Sequence, residues 1–352
     1  MMRQDDEVVL SGTILLGEEL EPFEGHLCLR GGVVAEIGPE EVESDLLGII
    51  APALVNGHVH LGDSFFKDPP YLPLRDLVGP GGLKHRALAS APRREVVEGM
   101  RRSLLYMARS GTAAFADFRE GGSDGVEMLL EAMEGTGLAG RIFGRPDPGS
   151  VRIHEKCWGV GISSTKDHPR SWVEEVAEAA RREGKKVALH AGEADRDDIE
   201  DALSLEPDLL VHLTRAEPRD LRMVAEAGVP VVVCPRSNLV TGVGLPDVAG
   251  MLEMGITVGL GTDNVMLNSP NLFSEMELAS KALLHNDRQV FMMCTLNGAR
   301  ILGADDEAGA IRVGKECRIM VIDRRSENMA GSRDPLASLV RRAEPSDVLA
   351  VI

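Results

Sequence analysis

The 352-residue chain is long enough for one large domain, or for a large domain with a small one attached. Its 38 basic and 56 acidic residues give a formal charge of −18, which argues against the basic face that a nucleic-acid polymer requires but leaves a nucleobase-sized ligand open. Apolar residues make up 43%, yet no uninterrupted run approaches the ~20 residues of a membrane span. The acidic start MMRQDDEVVL lacks the apolar core of a secretion signal, so the expectation is a cytoplasmic protein. The five cysteines, Cys28, Cys157, Cys234, Cys294 and Cys317, are odd in number and form no C-x-x-C pair. Neither a disulfide framework nor a thiolate zinc site is therefore expected.

Residues 7–50 read as β-rich. Short apolar or alternating runs at 8–10, 13–16, 26–29 and 32–37 are separated by Gly-rich and acidic turns. They predict a small antiparallel sheet. From about residue 49 the pattern changes to strand-like runs alternating with amphipathic helices. The strands are predicted at 49–59, 112–118, 138–143, 159–163, 186–190, 209–213, 229–234 and 256–263. Helices are predicted at 93–110, 125–134, 172–182 and 220–227. Each ends near a glycine (Gly111, Gly135, Gly184, Gly228), as helix C-termini commonly do.

Eight alternations predict a parallel sheet, and eight is the strand count of a closed barrel. An open doubly wound sheet is the alternative, although no G-x-G-x-x-G turn follows the first strand. After about residue 305 the chain is again β-like, with strands expected at 309–313, 318–323 and 348–352. The fold class is thus α/β: a (β/α)8 TIM-like barrel over 51–305, with a small β-sandwich domain built from 1–50 and 306–352. Segment 61–92 is long, Pro/Gly-rich and poorly periodic, and is expected to cover a substrate.

The chemistry sits at strand ends. His58-x-His60 closes the first predicted barrel strand, and i, i+2 spacing puts both imidazoles on one face of it. His190 closes Val187-Ala188-Leu189, Glu193 follows after the turn-permitting Gly192, His212 closes Leu209-Leu210-Val211, and Asp263 ends the run 258–262. Taken singly, each has a plain structural reading: His190 as a hydrogen-bonded core histidine, Asp263 as a cap of the following helix. Together they supply imidazole nitrogens and a carboxylate oxygen, a donor set suited to one Zn²⁺ or Fe²⁺.

PALVNGHVH, LHAGE, VHL, VCPRSNL, GLGTDN and EAGAIRVGKECRIMVID resemble the strand signatures of the amidohydrolase superfamily, over nearly the whole chain. The paired H-x-x-E and C-P-x-S-N motifs resemble the branch with cytosine, guanine, adenosine-type and S-adenosylhomocysteine deaminases and the triazine chlorohydrolases. The resemblance implies that His58, His60, His190 and Asp263 bind one divalent metal, zinc before iron. It implies that His212 orients the attacking water and that Glu193 moves protons to the substrate ring. Asp263 also stands among the catalytic residues, as a proton acceptor beside His212. A second metal in related branches requires a carboxylated lysine on the fourth strand. Lys166 is the nearest candidate, and it falls in a loop-like stretch ahead of Asp167-His168-Pro169.

The expected reaction is hydrolytic deamination of an amino-substituted nitrogen heterocycle, purine, pyrimidine or nucleoside-like, by metal-activated water. Hydrolysis of a cyclic amide or imidazolone, or ring dechlorination, is the alternative; a catalytically silent metal-binding scaffold is a third reading from another class. Asp63, Lys84, His85, Arg86, Arg145, Ser237 and Asn238 are candidate substrate contacts. The expected partners are a small heterocycle and water, with no nucleic-acid polymer or membrane, and a homodimer or higher homo-oligomer.

Overall fold

A computed structural model describes residues 7–352. Residues 1–6, part of the 1–50 segment and of the acidic start, lie outside the described residues. Two compact units can be distinguished.

The first unit runs through Asn56 and includes Tyr106–Ala114 and Asn271–Ile352. Its sheet uses β1 (Glu7–Leu16), β2 (Glu21–Arg30), β3 (Val33–Gly38) and β4 (Leu46–Pro52), with two late strands, Ile319–Ile322 and Val348–Val351. The two runs expected at 8–10 and 13–16 are one strand, because β1 pairs with β2 without interruption from Glu7↔Arg30 to Leu16↔Glu21. The sheet is mixed rather than purely antiparallel, since β1 pairs with β4 in parallel. Alternating residues Leu10, Ile14, Leu27, Leu29, Ile50, Ile319 and Val321 build its core.

Gly309–Val313 does not form the expected strand. Ile311 makes a single bridge to Leu16. Gly309 and Gly314, at φ 90° and 81°, bend the chain away on either side. Helices Leu272–Ala279, Asp287–Met293, Leu296–Ile301 and Pro335–Arg341 complete this unit; none of the four was foreseen.

The second unit covers Gly57–Leu105 and Phe115–Pro270. Here the strand expected at 49–59 proves to be two: β4 ends at Pro52, and β5 (Leu54–His60) begins the other sheet. A buried apolar run carries no period that marks such a break. The strands that follow are β6 (Thr112–Arg119), β7 (Ala139–Gly144), β8 (Gly159–Ile162), β9 (Lys186–Ala191), β10 (Leu209–His212), β11 (Val231–Val233), β12 (Val258–Leu260) and β13 (Asp263–Asn264). The late strands of the first unit are then β14 and β15.

The sheet order is β12-β11-β10-β9-β8-β7-β6-β5-β13. β12 pairs with β11 in parallel, and three residues on β13 pairs with β5 in parallel. One extended stretch, 258–264, therefore joins both ends of the sheet. Counted as one station, it makes the eight of a TIM-like barrel. At the break, Gly261 runs so close to β5 that a Cβ would lie 2.7 Å from the His58 carbonyl oxygen.

The connecting helices follow the sequence pattern. Arg170–Arg182 buries Trp172, Val173, Val176, Ala177, Ala179 and Ala180 on one face; a buried large apolar side chain contributes roughly 1.5–3 kcal/mol. Pro218–Ala227 starts with a Glu217/Asp220 capping box and stops at Gly228, φ 66°. The long segment after His60 is less irregular than its composition predicts, with short helices at Leu74–Val78 and Leu83–Ser90. Among the described residues no helix is long and apolar enough to cross a membrane.

Candidate active site

Parallel strands deliver their C-terminal residues to the same rim. Register places His190 of β9 opposite Val211 of β10, and Asp263 of β13 opposite Val59 of β5. His58, His60, His190 and Asp263 are all buried there, and one donor atom from each lies within 4.8 Å of the others. His58 Nε2 is 3.4 Å and His60 Nε2 3.6 Å from Asp263 Oδ1. His190 Nε2 is 3.3 Å from His60 Nε2 and 3.2 Å from His58 Nε2.

The proton positions decide what this cluster can hold. His60 Nδ1 sits 2.9 Å from the Phe118 carbonyl and His190 Nδ1 3.0 Å from the Ile162 carbonyl. Carbonyl oxygens only accept, so both rings carry their proton on Nδ1. Their Nε2 lone pairs then face each other at 3.3 Å, a repulsion that a shared cation would relieve. Burial pushes the His58 pKa down to about 3 and, with the neighbouring imidazoles, holds His190 well below its ordinary value. For Asp263, burial works upward, but the His58 hydrogen bond and the surrounding imidazoles hold its carboxyl well below the usual range. Neutral imidazoles beside an ionised carboxylate fit a divalent metal.

Glu193 and His212 form the second half of the site. Gly192, at φ 61°, turns the chain back after β9. Glu193 Oε2 lies 3.7 Å from His212 Nε2, and these two side chains form a compact group with Asp263. Burial raises the Glu193 pKa above its ordinary 4.5, more than the neighbouring imidazoles lower it. His212, Leu213 and Asp263 adopt φ values of 80°, 50° and 56°. Non-glycine residues in that region cost about 1–3 kcal/mol each, a strain that clusters at functional sites.

The site opens into a cavity of about 560 Å³, lined by His60, Lys84, His85, Glu120, Arg145, Lys166, His190, Glu193, His212 and Asp263 among others. Of the candidate contacts, Lys84, His85 and Arg145 line it and the other four do not. Asp63 is buried, accepting from Asn264 Nδ2 at 2.8 Å and from the Met266 backbone at 3.0 Å. Arg86 is exposed and donates to the Gly81 carbonyl at 2.6 Å. Ser237 donates to Asp263 Oδ2 at 2.5 Å, and the Asn238 amide lies 3.1 Å from His212 Nδ1. Both act on site residues instead of facing the cavity. Lys166 is exposed and held by Asp195 at 2.5 Å.

Sequence reading missed Glu120. It lines the cavity 3.0 Å from His60 Nδ1 and 2.6 Å from Lys84 Nζ. The signal was present: Asp117, Arg119 and Glu120 put three charges at the end of an apolar strand, where the other site residues also stand.

The amidohydrolase family profile matches residues 49–352. A protein of Methanothermobacter thermautotrophicus, named provisionally as an aminohydrolase, is 35% identical over 98% of this chain and 97% of its own. A 5-methylthioadenosine/S-adenosylhomocysteine deaminase of Moorella thermoacetica is 29% identical over 86% of this chain and 80% of its own. The crystal structure of an adenosine deaminase from Xanthomonas campestris with bound zinc superposes with a TM-score of 0.78, covering 100% of this chain and 92% of that one at 17% identity. By profile and by relatives, the chain belongs to the amidohydrolase family and is a hydrolase of carbon–nitrogen bonds other than peptide bonds.

Proposed function

We propose that the protein hydrolytically deaminates an amino-substituted nitrogen heterocycle of the adenosine-like nucleoside class. The observation that carries this is the facing pair of Nε2 lone pairs on His60 and His190, closed by His58 and Asp263 and flanked by Glu193 and His212. In this reading His58, His60, His190 and Asp263 hold one divalent metal, zinc in preference to Fe²⁺. When bound, such a metal lowers the pKa of water from ~15.7 toward ~7.

The chain's own residues do the rest. Asp263 and His212 accept and orient the proton of the attacking water. Glu193, its pKa raised by burial, delivers a proton to the ring nitrogen beside the amino-bearing carbon, so that negative charge does not accumulate on the ring as oxygen adds. Proton delivery to the amino group then releases ammonia and leaves the keto product. Ser237 and Asn238 fix Asp263 and His212, while Lys84, His85 and Arg145 line the substrate's end of the cavity. Asp63 and Arg86 hold the covering segment in shape.

The same reading assigns residues 51–305 to the metal-dependent barrel and both chain ends, 1–50 and 306–352, to a small β-sandwich domain. It also takes the protein to be a cytoplasmic homo-oligomer. The test is ammonia release by the zinc-loaded protein across adenosine, 5′-deoxyadenosine-type nucleosides, free purines and pyrimidines. Release from at least one aminated ring is expected. Turnover of a lactam without ammonia from any aminated ring would refute deamination in favour of cyclic-amide hydrolysis.

A further inference from the structure

The polar end of β6 carries more than the reaction above uses. Asp117, Arg119 and Glu120 stand together there, and Lys84 reaches them from the helix Leu83–Ser90. All four are buried; Lys84 is 3% and Glu120 9% exposed. Buried charges persist only when paired, and these are paired in a particular order. Glu120 Oε1 lies 2.6 Å from Lys84 Nζ and 3.0 Å from His60 Nδ1. Glu120 Oε2 accepts from Arg119 at 2.8 Å. Asp117 Oδ2 accepts at 2.7 Å from the backbone N–H of Leu61, the residue after His60. The ring of His60 and the turn that follows it are thus held by two carboxylates, Asp117 on β6 and Glu120 just past its end. Gly62 leaves the room for this: a Cβ there would come within 1.6 Å of the Arg119 guanidinium.

We propose that Glu120 is a positioning residue for the metal ligand His60, and that Lys84 is the counter-charge that keeps its carboxylate in place. The inference rests on the metal reading above. A carboxylate on the outer N–H of a ligating imidazole fixes the tautomer and makes the inner nitrogen a better donor to a cation. The Phe118 carbonyl, 2.9 Å from the same Nδ1, already fixes the tautomer, so the specific contribution of Glu120 is its charge and its hold on the ring plane. Lys84 and Arg119 take up two further acceptor sites of that carboxylate and hold it on the outer side of the His60 ring.

The test is the affinity of the full-length protein for zinc, measured by competition with a chromophoric chelator in the absence of substrate. The visible spectrum of the cobalt-substituted protein is recorded alongside. Glu120→Gln keeps the size and removes the charge, and should weaken zinc binding ~10- to 100-fold and change the cobalt bands. Lys84→Met should weaken it less, in the same direction, and decides the matter if Glu120→Gln fails to fold. Zinc affinity within about twofold of wild type in a folded Glu120→Gln protein would overturn the proposal. So would normal zinc affinity with a raised KM alone, which would make the pair a substrate contact. Wild-type protein that takes up no zinc or cobalt would defeat the underlying metal reading, a result independent of Glu120.

Discussion

Replacing Glu193 with Gln changes one function of the site and almost none of its shape. The side chains are nearly isosteric, so the cavity volume and the 3.7 Å approach to His212 Nε2 should persist. What disappears is a group that can both give and take a proton. General acid–base catalysis of this type contributes about 10²- to 10⁴-fold, equivalent to about 3–5 kcal/mol of barrier at ~1.36 kcal/mol per tenfold. Burial raises the Glu193 pKa, so the acid form persists closer to neutral pH than an exposed glutamate would allow. The wild-type rate should therefore fall on the alkaline side as that carboxyl ionises, and this limb should be missing from the residual activity of Glu193→Gln. The assay is steady-state ammonia release, giving kcat/KM against pH, with zinc content measured on the same samples. A loss of kcat/KM smaller than tenfold would refute the proton-transfer role. A large loss accompanied by loss of zinc would refute it differently, by making Glu193 a ligand, which its place in a group with His212 and Asp263 permits geometrically.

Two further perturbations probe the frame around the site. Gly261→Ala would place a Cβ 2.7 Å from the carbonyl oxygen and 2.8 Å from the nitrogen of His58; overpacking of this kind costs about 1–3 kcal/mol. A lower unfolding midpoint together with a lower zinc content is expected, and unchanged values of both would contradict the close approach. Asp63 has its pKa raised by burial from 3.8 to about 6. Because the folded value lies above the unfolded one, its stabilising contribution is complete below pH ~3.8 and is lost as pH rises through about 6. That loss is worth roughly 3 kcal/mol. In denaturant unfolding, the stability of wild type relative to Asp63→Asn should therefore fall between about pH 4 and pH 7. A difference that does not vary with pH would exclude the raised pKa.

Much of the site was legible in the sequence because its residues end apolar strands. His58 and His60 could be assigned to one face from their i, i+2 spacing, and Gly192 could be read as the turn that returns Glu193. Less was legible where the local pattern is silent. The run 49–59 gave no sign that it divides at Ala53 between two sheets, since both halves are fully buried. Residues 309–313 have strand composition, but their flanking glycines turn the chain away after one bridge. Ser237 and Asn238 were placed near the substrate, whereas the Ser237 hydroxyl and the Asn238 amide nitrogen meet Asp263 and His212. Which neighbour a short polar side chain finds depends on strands that lie some 26 residues away in the chain.

The sequence by itself determined the chemistry: which donor atoms are offered, in what order, and at the ends of which strands. Alternation of strand and helix also determined that those ends share one rim, since parallel strands all point the same way. Only the tertiary structure decided which lone pairs face each other, because that depends on the carbonyls opposite His60 and His190. Only it brought Glu120 and Lys84, 36 residues apart in the chain, to the outer side of His60. A periodic pattern specifies which way a strand faces; the partner across a rim is fixed by closure of the whole sheet.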